Sequence, residues 1–139
     1  MEMHQLVNFC CITEEFVASI YGRFMQLFPQ EKDFWEALYK DEKKHTSFLI
    51  EADDSGRFNE MQVADLGFSE PLLDRTKTFL TNIGDQINHS PVSLEDALKM
   101  ALKIEETMVE AFTNELLANL SPADNRGLRY LLHLQLNKK

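Results

Sequence analysis

Apolar side chains recur along most of this chain in alternating steps of four and three, the spacing that keeps them on one face of an α-helix. The first such stripe runs Met3, Val7, Cys10, Glu14, Val17, Tyr21, Phe24, Phe28 and predicts a helix over 3–28. Pro29 interrupts it, because a proline ring lacks the backbone donor that the next turn needs. After the polar run Gln30-Glu31-Lys32-Asp33 a second stripe, Trp35, Leu38, Glu42, His45, Leu49, predicts a helix that ends near Gly56. A break of only a few residues requires these two helices to lie antiparallel and adjacent.

Periodicity weakens over 56–92, although Ser69-Glu70-Pro71 followed by Leu72, Leu73, Thr76, Phe79, Leu80, Ile83 and Ile87 predicts a lesser helix over 70–88. Ser93 with Asp96 three residues later resembles a capping box, and neither Gly nor Pro recurs until Pro122. A long helix over 93–120 is therefore expected, with the stripe Leu94, Leu98, Ala101, Glu105, Met108, Phe112. Ser121-Pro122-Ala123-Asp124 repeats the start signal, and Leu128, Leu131, Leu132, Leu134 and Leu136 mark a short last helix. Two hairpins joined by a long connection predict an all-α fold: an up-down four-helix bundle with one crossover that carries an extra helix. The hairpins also look related, since Thr13-Glu14-Glu15 with Tyr21 matches Ile104-Glu105-Glu106 with Phe112 at a constant offset of 91.

The 139 residues suit a single domain over 1–139. Against 14 Lys plus Arg stand 23 Asp plus Glu, a net charge of −9, which sets up no field favourable to nucleic acid or anionic lipid. No apolar run approaches the ~20 residues of a membrane span. The start Met1-Glu2-Met3-His4 lacks the basic character of a signal peptide, and the two cysteines, Cys10 and Cys11, are neighbours, poorly placed to staple distant segments. A reduced cytoplasmic setting is the expectation.

Four polar residues sit where the stripes demand apolar ones. Glu14, Glu42, His45 and Glu105 each have large apolar residues a turn away on either side, so each is expected to project into the bundle centre. Three carboxylates buried together cannot all stay ionised without protons or a cation, and a metal is an economical compensation. Glu42-Lys43-Lys44-His45 supplies the Glu-x-x-His spacing, which aims a carboxylate and an imidazole at one point. Oxygen-rich ligation with one imidazole suits iron(II) or manganese, with zinc as a further option. Read from the residues alone, Tyr21 is a core aromatic whose hydroxyl finds Glu14 or another neighbour, Cys10 is a small apolar residue, and His4, His89 and His133 are surface or satisfied histidines.

Glu14 with Tyr21, then Phe34-Trp35 leading through Leu38 to Asp41-Glu42-Lys43-Lys44-His45, resembles the first hairpin of rubrerythrin-type ferritin-like proteins. The resemblance is most specific over 12–49 and extends more weakly over 93–120. It implies a ferritin-like bundle around a di-iron or mono-iron site, with Glu14, Glu42 and His45 as ligands from the first half, Glu105 from the second, and Tyr21 beside the site as the candidate catalytic residue. It further implies oxidoreductase chemistry on peroxide, dioxygen or ferrous iron, with a small-molecule oxidant or a metal ion as partner, in a chain that can pair as a homodimer. The last helix departs from the family pattern, which asks for a second Glu-x-x-His: three residues before His133 stands Tyr130. By depth counted from the prolines, Glu105 faces a position near Asn137, and at ~1.5 Å per residue His133 falls roughly 6 Å short. Gln135 and Lys138, at the right spacing, are a weak ligand and a cation. The chain also lacks the paired Cys-x-x-Cys segments of a rubredoxin-type domain. The competing expectation is a metal-free helical bundle that kept the architecture, lost the site, and serves as an interaction or structural module.

Overall fold

The computed structural model describes residues 1–66 and 69–107, and these are all-α: four α-helices and two short 3-10 turns, with no strand among the described residues. The first helix, α1 (Met3–Leu27), opens where Gln5 Oε1 accepts the Glu2 N–H at 2.8 Å. It closes where the Phe28 N–H reaches the Phe24 carbonyl and Pro29 follows. The chain then turns through a 3-10 turn, Pro29–Glu31, directly into α2 (Lys32–Asp54). The polar run thus divides, and Lys32 and Asp33 already belong to the helix. Proline explains this, because its fixed φ is compatible with the first residue of a helical turn and its missing donor costs nothing there.

Side-chain pairs fix α1 and α2 as antiparallel. His4 meets Asp53 at 2.8 Å near one end, Glu15 accepts from Lys43 at 2.6 Å in the middle, and Phe24 packs on Trp35 with ring centroids 4.9 Å apart near the other end. Helix α2 stops at a left-handed glycine: Gly56 has φ +79°, and the Arg57 N–H returns to the Ala52 carbonyl at 2.9 Å. After the second 3-10 turn (Val63–Leu66) comes α3 (Glu70–His89), where the Leu72 N–H donates to Ser69 Oγ. This is the helix expected over 70–88. Ser93 then caps α4 (Leu94–Glu106) by accepting from the Asp96 N–H at 3.1 Å, as the capping signal requires. The helix expected without interruption over 93–120 instead stops at Glu106, because Thr107 is extended (φ −82°, ψ 173°) and its Oγ1 donates to the Ile104 carbonyl at 2.6 Å, closing the last turn. Met108, Phe112 and the expected last helix with Tyr130, His133, Gln135 and Lys138 lie outside the described residues.

Among the described residues the apolar core forms two clusters. One cluster gathers Val17, Tyr21, Phe24, Trp35 and Leu38 with Ile83 of α3 and Leu98 and Ile104 of α4. The other gathers Leu6, Val7 and Cys10 of α1, Leu49 and Ala52 of α2, Phe58, and Leu72 and Leu73 of α3. Between them, along α1 from Cys10 to Val17 and along α2 from Leu38 to Leu49, runs a buried layer containing Glu14, Glu42 and His45.

Candidate metal centre

The layer follows from helix geometry. Glu14 follows Cys10 by one turn and precedes Val17 by one, so the stripe that buries those two also buries Glu14, which is only 3% exposed. On α2, Glu42 and His45 are three apart and share a face with Leu38 and Leu49; they are 4% and 3% exposed. Antiparallel packing sets the two faces opposite each other. One donor atom from each of Glu14, Glu42 and His45 lies within 4.8 Å of the other two. The ring atom His45 Nδ1 is 3.5 Å from Glu14 Oε2 and 3.8 Å from Glu42 Oε2. Donors bonded at about 2.0–2.2 Å to one ion sit roughly 3–4 Å from each other, so these separations are close to those of a shared cation.

Glu14 Oε2 is fully buried and accepts no hydrogen bond; its approach to His45 Nδ1 is a charge contact only. A buried carboxylate oxygen without a donor costs free energy unless a cation or proton meets it. His45 supplies part of that charge. Burial works against a charged ring, but the Asp41 and Glu14 carboxylates beside it outweigh burial and push its pKa up to about 10. In the metal-free layer the surroundings of His45 therefore favour its charged ring. A divalent cation would balance both carboxylates and occupy the unmet oxygen, so the donor set fits a metal.

Asp41 escapes a stripe-based search because it is half-exposed, yet its Oδ2 lies 3.1 Å from His45 Nε2. The signal was present in the spacing: Asp41 stands four residues before His45, one turn away on the same helix flank. Glu105 is buried on α4, 2% exposed, but it lies outside the three-donor group; Tyr21 Oη donates to its Oε1 at 2.9 Å. Tyr21 is itself fully buried against Trp35. The helical offset also separates inner from outer glutamates, since Glu15 is exposed and pairs with Lys43 while Glu106 is exposed beside the buried Glu105.

The cysteines bring no thiolate to this layer. Burial, reinforced by Glu14, raises the Cys10 thiol well above its ordinary range, and the same causes push Cys11 up to about 11. His4 is bound to Asp53 and His89 to the Asp85 carbonyl, both away from the centre, whereas His133 lies outside the described residues. No described helix is long and apolar enough to cross a membrane. Compared with known proteins, the chain matches no family model, no curated protein and no solved structure.

Proposed function

We propose that this chain is a rubrerythrin-like member of the ferritin-like class, a non-haem iron or manganese protein whose ion is held by Glu14, Glu42 and His45. The observation that carries the proposal is the unmet Glu14 Oε2, buried within a charge contact of an imidazole and in a group with a second carboxylate. Hard carboxylate oxygens with one imidazole suit iron(II) or manganese, and zinc would also be accommodated. Support for the bundle comes from the antiparallel α1–α2 pair and the crossover helix α3. A bound redox-active ion would supply electron exchange with peroxide or dioxygen, or turn over ferrous iron, through coordination positions the protein leaves open. Glu105 would serve the second half of the site, with Tyr21 holding its carboxylate by the 2.9 Å hydrogen bond. The proposal includes a reduced cytoplasmic setting and self-association as a homodimer.

A second reading, a metal-free bundle acting as an interaction module, draws on the imidazolium of His45, which already offsets one negative charge in the layer. Metal content separates the two. Protein expressed with iron and manganese and purified without chelator is expected to retain about one ion per chain or more, and content below about one tenth would overturn the proposed site. Glu42→Ala with His45→Ala is expected to abolish binding, whereas Glu106→Ala, about 100° off the stripe, leaves it intact. Equal loss in both variants would show that the wrong helix face has been assigned.

A further inference from the structure

Two nitrogens of one ring face different partners. His45 Nδ1 lies 3.5 and 3.8 Å from the Glu14 and Glu42 carboxylates, while Nε2 lies 3.1 Å from Asp41 Oδ2 in an ion-pair contact. The ring is almost wholly enclosed, with only 4% of its side chain exposed, whereas the Asp41 side chain keeps 32% and reaches the layer from its rim. An imidazole can give a metal only a nitrogen that carries no proton, and the partner of the other nitrogen decides which one that is. Asp41 is an acceptor only, so it selects the ring form with hydrogen on Nε2.

We infer that Asp41 is a positioning residue for the proposed centre: it accepts the Nε2–H of His45 and thereby commits Nδ1 to the metal. The inference rests on the metal site proposed above and adds to it the coordinating atom and the group that sets it. The i, i+4 spacing on one helix makes the arrangement independent of the rest of the bundle, because both residues move with α2. Without Asp41 the ring can turn over or carry its hydrogen on Nδ1, and either change withdraws the donor that faces Glu14 and Glu42. Glu14 and Glu42 would then hold the cation with one ligand fewer.

Zinc, which is diamagnetic, is the probe, titrated calorimetrically into the full chain and followed by nitrogen-15 spectra of its histidine rings. Asp41→Ala is expected to weaken zinc binding by about 10–100-fold, the usual range for an outer partner of a ligating histidine, and Asp41→Glu to restore part of it. Circular dichroism melts of both variants distinguish this from loss of the fold. In the zinc-loaded wild type, His45 is expected to show a protonated Nε2 with a slowly exchanging hydrogen and a metal-shifted Nδ1. Zinc on Nε2, or affinity in Asp41→Ala within about twofold of wild type, would overturn the role of Asp41 while leaving the site standing. Failure of the wild type to bind zinc would overturn both the site and the Nδ1 assignment.

Discussion

His45 concentrates the residue-scale physics of this protein, because it is enclosed beside two carboxylates that favour its charged form. Its folded pKa of about 10 lies above the unfolded value of 6.5, so the charged ring stabilises the folded metal-free chain. That contribution is complete below about pH 6.5 and is lost as the pH rises through about 10. Metal-free protein is accordingly expected to lose thermal stability between pH 7 and 10, and His45→Gln to flatten that slope; an unchanged slope in the variant would show that another group carries it. Exposed pairs such as Lys40–Glu36 and Lys99–Glu95 fall in a different class, being screened by solvent and worth little.

At the scale of elements, local signals decide where helices begin and end. Ser69 and Ser93 cap α3 and α4 with their hydroxyl oxygens, and both were legible as start signals because a cap involves residues three apart. The stop after α2 depends on Gly56 at φ +79°, a region where a Cβ is strained. Gly56→Ala is expected to destabilise the chain by about 1–2 kcal/mol in chemical denaturation, even though the nearest side-chain atom, Asn59 Nδ2 at 2.8 Å from the added Cβ, can swing away. A change within about 0.3 kcal/mol would mean that this turn relaxes freely. The junction at Pro29 was legible as a break, but the entry of Lys32 and Asp33 into α2 was not, since proline can both end one helix and start the next.

At the scale of the molecule, the buried polar layer lies between the two apolar clusters of the described residues. Buried charged layers are commonly less stable than apolar residues of similar size. Glu14→Leu, Glu42→Leu and His45→Leu introduced together are therefore expected to join the clusters and stabilise the metal-free chain by up to about 4 kcal/mol, while abolishing zinc binding. Marked destabilisation of the triple variant would show that the layer is needed for folding rather than retained for a ligand.

The periodicity of the chain alone determined the helical character of the described residues, the α1–α2 hairpin, the position of α3 and the burial of Glu14, Glu42, His45 and Glu105. These depend on which residues share a helix face, and a spacing of three or four residues is written directly in the order of amino acids. Tertiary structure decided the rest. Glu14 meets His45 across 31 positions and Tyr21 meets Glu105 across 84, and no local spacing specifies which buried polar group will find which partner. The unmet oxygen of Glu14 and the division of the His45 ring between Asp41 and the two glutamates arise only when the opposing faces of α1 and α2 are brought together, because satisfaction of a buried polar atom is a property of its surroundings in space.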